Sequence, residues 1–500
     1  MQHNIYYRTL KESDLSGLHF LTQAPCPIIC LMLQIMPSLP FPSVWFYLDF
    51  MLKITRLLSG KINTYRFLWG YFMQNQQLRF GMAGLGMIFE ETYLPVFLQA
   101  SEMPLWSQKT GPVTVSLDAL YSRTGIRGNK IISLHGINLG NPKNYLVNSS
   151  SSLHGLNALD ALIVATPDDR HFDLSLQALH GGKHVLVEKP SVLKLQELDD
   201  LITATKDNHC LTRVVYHKLL DPDHKKLRTL VSDGFLRKVR SGYCSLLEPR
   251  QISSHQFAEW IHGRNPGSYV AVHYIKLIDF TFGISTGQEW RIKRVSATGQ
   301  RGIAGPPKGS TWDSVQLRIE YQYPDFSEAA FDIHTSWVNP DCFPGYVEQE
   351  TQFRFENSIW LAHQRKRGVE LSIADMTPLL IKETPNNHYN ADILEPWDIR
   401  KKRGYGLETI QKFIEDLAYL EYGGIQRDRN LRLRFLQKQT WCDISGERNT
   451  VAIVQAMEAI LDAHANGHPG GVATFNDPAG GLVLRFPGSK ETRILYAGQI

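Results

Sequence analysis

The apolar run Leu78–Ala83 is followed at once by Gly84-Leu85-Gly86. Glycines between a strand and a helix let backbone N–H groups close on a pyrophosphate, and the helix N-terminus favours the anion. Gly84 and Gly86, with Met87 and Ile88 behind them, are therefore candidate dinucleotide contacts. Phe89 stands where the pattern usually has its third glycine, and an ordinary tight turn would read the same way. A second run, Val113–Tyr121, ends at Ser122-Arg123. An acidic residue there would bond a ribose 2′-hydroxyl, whereas an arginine accommodates a 2′-phosphate. Ser122 and Arg123 thus favour NADP, with NAD as the alternative, and a solvated surface charge is the plainer reading of Arg123. Asp118 lies inside the run and is the weaker ribose ligand. Two further apolar runs end at Thr166-Pro167 and at Glu188-Lys189-Pro190. His255, Glu259 and His262 fall at helical spacing, but no matching ligands on other elements are evident, so no metal is expected.

These residues need particular elements to hold them. The glycine turn leads into a helix over Glu90–Gln99. The distance from Gly84 to Ser122 exceeds the usual spacing of about 20 residues, so an insertion around Glu102–Gly111 is implied. Ser149–Ser152 reads as a loop. Ala161–Ala165 is apolar throughout, as in a strand buried on both faces. Phe172, Leu176 and Leu179 fall at helical spacing before Gly181-Gly182. Val185–Val187 is another buried strand, and Leu193–Thr205 another helix. Such alternation predicts a doubly wound parallel sheet whose ligands sit at the carboxyl ends of its strands. Thr166, Pro167, Glu188 and Lys189 occupy such ends.

On Ala165-Thr166-Pro167, His171 early in the next helix, and Gly182-Lys183-His184-Val185-Leu186-Val187-Glu188-Lys189-Pro190, the sequence resembles the glucose–fructose oxidoreductase/inositol dehydrogenase family, Gfo/Idh/MocA. The resemblance runs from about Leu78 to about Thr474. It implies an α/β protein: an N-terminal Rossmann domain, then an α/β domain with a large, open, mostly antiparallel sheet. Val315–Tyr321, Ala329–Thr335, Gln352–Phe355 and Ser358–Ala362 alternate like strands, and Leu407–Tyr422 and Val451–Asn466 read as amphipathic helices. The expected division is 1–72, a poorly structured extension; 73–215, the dinucleotide domain; and 216–500, the substrate-binding and oligomerisation domain. The resemblance also implies hydride transfer between NAD(P) and a hydroxyl or carbonyl of a sugar or polyol. Thr166, Pro167, His171, Glu188, Lys189 and Pro190 would then border the cofactor. The family's usual catalytic set is a lysine, an aspartate and a histidine. Lys189 matches the lysine and His273 the histidine, but Tyr269 replaces the aspartate and Ala271 the glycine of the Asp-x-Gly-x-His pattern. Tyr269, one helical turn before His273, is expected on the same face, its phenol donating to the developing oxygen. Tyr216-His217-Lys218 falls by resemblance at the substrate pocket, and Trp260 could stack on a sugar. Losing the aspartate motivates one alternative, a non-catalytic dinucleotide sensor; the resemblance implies another, a glycoside-cleaving enzyme that cycles its nicotinamide.

Charge is nearly balanced, 53 basic against 49 acidic residues for a net +4. This argues against nucleic acid or an anionic membrane as partner. A hydrophobic share of 43% suits an ordered core. The six cysteines, Cys26, Cys30, Cys210, Cys244, Cys342 and Cys442, form no CxxC pair, which points to a reducing, cytoplasmic setting. Pro27–Leu52 is apolar, but Pro37, Pro40, Pro42 and Asp49 interrupt it, unlike a spanning helix or a signal peptide. Residues 1–72 are expected to be dispensable, with Met73 as an alternative start. A homo-oligomer is expected by resemblance alone. The tail has strand-like pieces, Gly481–Phe486 and Thr492–Ala497, with no assigned function.

Overall fold

The computed structural model describes residues 76–500 apart from 103–104, 108, 148–152, 257, 259, 263, 285–289, 344–346, 365–368, 375–379, 384–385, 397–398, 440–441, 469–471, 475–480, 489 and 499–500. The expectations for residues 1–72, Met73, the Ser149–Ser152 loop, Cys26 and Cys30 lie outside the described residues.

The first sheet contains β1 (Gln77–Ala83), β2 (Leu105–Ser107), β3 (Gly111–Ser122), β4 (Lys143–Leu146), β5 (Ala161–Val164), β6 (His184–Glu188) and β7 (Thr212–Val215). Six strands run parallel in the order β4-β3-β1-β5-β6-β7, and β2 pairs antiparallel with the start of β3. Every residue of β5, β6 and β7 is buried, because helices cover both faces of the sheet. The intervening helices include α1 (Leu94–Glu102), α2 (Ile126–Leu139), α3 (His171–His180) and α4 (Leu195–Asp207). The β2–β3 hairpin supplies the implied insertion. Strand order reverses between β1 and β5, which opens a crevice beyond their carboxyl ends.

After α5 (Pro222–Ser232) comes a second sheet of nine strands. Its members are β8 (Val239–Pro249), β9 (Arg291–Arg301), β10 (Trp312–Gln322), β11 (Glu328–Asn339), β12 (Glu348–Phe355), β13 (Ile359–His363), and, after two small hairpins, three C-terminal strands. The hairpins are β14 (Leu371–Ala374) with β15 (Leu380–Glu383), and β16 (Ala391–Glu395) with β17 (Ile399–Arg403). The final strands are β18 (Val472–Thr474), β19 (Leu482–Arg485) and β20 (Thr492–Tyr496), so the tail pieces extend this sheet. The order is β13-β12-β8-β11-β10-β9-β18-β19-β20, antiparallel except where β8 meets β11. Its apolar face packs on α6 (Val272–Ile278) and α9 (Arg448–Ala465). Its other face carries cross-strand ion pairs, Arg318 with Asp332 at 3.0 Å and Arg294 with Glu320 at 2.5 Å.

The chain then returns to the first sheet. On α7 (Tyr405–Tyr422), Leu407, Ile410, Phe413 and Leu417 share a core with Phe80, Met82 and Leu186; α8 (Arg429–Lys438) adds Leu433 and Leu436. One face of the dinucleotide sheet is thus closed by residues from late in the sequence. Among the described residues, no helix is long and apolar enough to cross a membrane.

Candidate active site

A cleft of about 1600 Å³ opens at the carboxyl ends of β1, β5 and β6 and runs on between the two sheets. Gly84 has φ +95°, and a Cβ there would stand 2.1 Å from the Ala165 carbonyl oxygen. The crossing of β1 and β5 therefore demands glycine. Gly86 differs: a Cβ would meet only Arg127, at 3.8 Å. Nothing among the described residues requires glycine there, which leaves the backbone open to a ligand in the cleft. Phe89, in place of the third glycine, is buried at the start of a π-helical turn, Phe89–Tyr93. That wider turn takes the ring into the core.

Met87, Ile88, Ser122, Arg123, Thr166, Pro167, His171, Glu188 and Lys189 all line the cleft. Arg127, one turn beyond Arg123, lies beside them. Asp118 does not line it and accepts from Ser116 within β3 instead. Thr166 Oγ1 is buried without a hydrogen-bond partner among the described residues. Both ring nitrogens of His171 lie 2.8 Å from carbonyl oxygens, of Thr166 and Pro190. The ring therefore staples the ends of β5 and β6 together and forms wall. Burial lowers its proton affinity, against the pull of those carbonyls. Glu188 accepts from Tyr93 Oη at 2.7 Å, which ties the first helix to the Glu188–Pro190 turn. Pro190, whose peptide bond with Lys189 is cis, is buried and outside the cleft lining.

Lys189 reaches the substrate end. Its Nζ donates to the Tyr269 carbonyl at 2.9 Å and sits 3.6 Å from the centre of the Tyr269 ring. Burial lowers its proton affinity, opposed by the charges of Glu188, Glu248 and Asp168. His273 lines the same end, packs edge-on against Tyr216, and has Nδ1 without a partner among the described residues. Burial, then Lys189, Lys218, His217 and His224, hold it well below the ordinary histidine range, so it is neutral. His217 and Lys218 are buried cleft residues on the turn after β7. Burial and the two lysines push His217 down to about 3.

Tyr216 and Tyr269 sit differently from the sequence expectation. Tyr216 does not line the cleft: its hydroxyl turns into the core and donates to Glu447 at 2.6 Å. Tyr269 is half-buried in the cleft wall, but it offers Lys189 a ring face and not a hydroxyl. Trp260 and Trp337 hold the ring, at 5.5 and 6.0 Å between centres. Its turn, Gly267–Ala271, is π-helical, which alters the spacing to His273. Trp260 does line the cleft. His255 and His262 are exposed at its mouth, and Glu259 lies outside the described residues. No group of three metal-ligating side chains is found among the described residues.

Sequence reasoning missed Glu248, Gln349 and Arg264. Glu248 and Gln349 occupy inward positions at the ends of β8 and β12, where the register otherwise buries apolar side chains. A polar residue in that register is the signal that could have found them. Arg264 pairs with Asp168 at 3.3 Å across the cleft wall, which no local pattern reveals.

A Rossmann sheet with its glycine turn at the switch point, facing a second, open sheet across a deep cleft, defines a two-domain dinucleotide-binding architecture. Residues 78–216 match the model of the Gfo/Idh/MocA oxidoreductase family, described as an NAD-binding Rossmann fold. Among curated relatives, scyllo-inositol 2-dehydrogenase (NADP(+)) IolW of Bacillus subtilis (strain 168) is 29% identical over 84 residues, 17% of this chain and 24% of its own. The 1,5-anhydro-D-fructose reductase of Ensifer adhaerens is 21% identical over 195 residues, 38% of this chain and 58% of its own. The matches thus span less than two thirds of either relative. An inositol dehydrogenase homolog from Azotobacter vinelandii, solved with NADH and myo-inositol, shares the fold: TM-score 0.55, 18% identity, 80% of this chain and 98% of that one.

Proposed function

We propose that the chain is an NAD(P)-dependent oxidoreductase acting on a CH–OH group of a sugar or polyol. The observation that carries this reading is the meeting of Lys189 with a neutral His273 where the dinucleotide crevice ends. The cleft suits a dinucleotide: Gly86 leaves backbone open, Thr166 Oγ1 lacks a partner among the described residues, and Arg123 and Arg127 stand by the end of β3. Nicotinamide bound there would supply the hydride acceptor. Oxidation also requires the hydroxyl proton to leave, and a base within hydrogen-bond reach must take it. Lys189, its proton affinity lowered by burial, serves as that base. Neutral His273 orients the hydroxyl, and His217, Lys218 and Gln349 receive the remaining hydroxyls. Arg123 and Arg127, with no carboxylate of β3 or α2 lining the cleft among the described residues, favour NADP over NAD.

The test is absorbance of reduced nicotinamide with both cofactors and a panel of sugars and polyols. Turnover is expected with NADP⁺, and Lys189→Ala is expected to lower it by about 10²–10⁴-fold, the usual worth of general acid–base help. Turnover with NAD⁺ alone would overturn the arginine reading. Tight cofactor binding without any turnover would favour a sensor instead, with Tyr269 as the reason.

A further inference from the structure

We propose that Glu248 is the carboxylate of the proton-handling set in this chain, a counter-charge facing Lys189 in place of the acid missing at position 269. This rests on the oxidoreductase reading above. Along β8 the inward row is Gly242, Cys244, Leu246 and then Glu248. A carboxylate closing an apolar row is costly unless something nearby uses its charge. Trp337, inward on the neighbouring strand β11, fixes one oxygen by donating from Nε1 to Oε2 at 2.7 Å. Burial raises the proton affinity of the Glu248 carboxyl, and the indole bond and the charges of Lys189 and Lys218 oppose that rise. The carboxyl faces a cleft end shared with both lysines.

Several groups surround Lys189. On its own strand lies Glu188, already bonded to Tyr93. From the turn after β5 come Asp168, paired with Arg264, and His171, spent on two carbonyls. The turn after β7 brings His217 and Lys218, the helix brings His273, and the π-turn brings the ring of Tyr269. Glu248 is the carboxylate in this set that no arginine and no hydroxyl engages among the described residues. The aromatic trio Trp260–Tyr269–Trp337 joins the two features: Trp337 both packs on Tyr269 and anchors Glu248. The ring at 269 shields one side of the ammonium, and the charge comes from the sheet instead of the helix.

In the oxidation direction, a bound nicotinamide would supply the hydride acceptor for the substrate carbon. Its hydroxyl gives a proton to the neutral Lys189 amine, leaving a carbonyl and an ammonium. The charge of Glu248 favours that ammonium and, with Glu188, keeps Lys189 basic enough to accept, against the effect of burial. Glu248 is thus a positioning residue acting through Lys189.

The test is the pH dependence of acetic anhydride labelling at Lys189, followed by mass spectrometry on the full chain without cofactor. Glu248→Gln, which keeps the acceptor for Trp337, is expected to move half-labelling about one unit or more to lower pH, as loss of a nearby opposite charge requires. Glu248→Asp, which keeps the charge, is expected to restore most of that shift. The acid limb of kcat/KM for oxidation is expected to move with the labelling. An unmoved labelling curve in Glu248→Gln, with Glu248→Asp equally unmoved, would overturn the proposal. A shifted curve with no polyol turnover in the wild type would refute the oxidoreductase reading while upholding the Glu248–Lys189 coupling.

Discussion

Two glycines two residues apart have different reasons for being glycine. Gly84 is fixed by the fold, since its φ of +95° and a 2.1 Å approach to Ala165 O exclude any side chain. Gly86 is fixed by nothing among the described residues. Gly84→Ala is expected to destabilise the protein by at least the 1–3 kcal/mol typical of a strained backbone position, read in urea unfolding. Gly86→Ala is expected to leave unfolding unchanged within about 0.5 kcal/mol, as for a site away from any packed feature, yet to weaken dinucleotide binding at least tenfold in a fluorescence titration. Equal losses of stability would show that Gly86 is structural too. The same residue-by-residue view separates Tyr216 from its neighbours. His217 and Lys218 face the cleft, while Tyr216 points the opposite way into the core.

The α7–α8 hairpin is pinned to the edge of the first sheet by charge. Glu421 pairs with Arg429 at 2.8 Å and with His184, the first residue of β6, at 3.1 Å. Leu211 N–H donates to His184 Nδ1 at 2.8 Å, so Nε2 carries the proton toward Glu421. Burial would raise the Glu421 carboxyl, but the hydrogen bonds from His184 and Arg429 outweigh it and bring it down to about 2. A carboxyl with lowered folded-state affinity adds stability above its unfolded value, and that stability is lost as pH falls through the folded value. The Glu421 contribution is therefore present at neutral pH and fades from about pH 4.5, near the ordinary glutamate value, down to 2. Glu421→Gln is expected to be less stable than wild type at pH 7, with the gap closing across that window. A gap of constant size in urea melts from pH 7 to pH 2.5 would disprove the charge account.

The whole molecule is tied together behind the site by a buried polar network. Tyr216 follows β7, Lys276 belongs to α6, and Glu447 precedes α9. Lys276 Nζ lies 2.8 Å from Glu447 and donates to Gly446 O at 2.6 Å, with Lys276 and Glu447 both fully buried. Burial alone would lower the lysine's proton affinity, but Glu447 together with Asp279 outweighs this and raises it. Removing one partner of such a pair leaves a buried charge, so Glu447→Gln is expected to cost about 3–5 kcal/mol. Replacing both, with Lys276→Met and Glu447→Leu, is expected to cost far less. A second link joins Arg213 of β7 to Asp443 at 3.0 Å and to Asp416 of α7 at 3.1 Å. Since His273 packs on Tyr216, these links also set the floor of the site.

The parallel sheet was legible in the sequence, because strands buried on both faces read as continuous apolar runs and their ends line the cleft. Gly84, Lys189 and His273 were legible for the same reason: each sits at a fixed offset from such a run or from a family motif. The strands of the second sheet were legible by alternation, but their order was not. Neither was the return of α7 to cover the first sheet, since amphipathicity names a face and not its partner. Side-chain direction escaped as well. Helical spacing puts Tyr269 on the face of His273, yet a π-turn and two tryptophans give Lys189 its ring. Glu248 and Gln349 are ordinary residues in ordinary strands until the sheets are brought together. A local pattern fixes which groups can do chemistry, because propensity and periodicity act over a few residues. Which groups meet, and what charge each carries there, depends on burial and on long-range neighbours that only tertiary packing supplies.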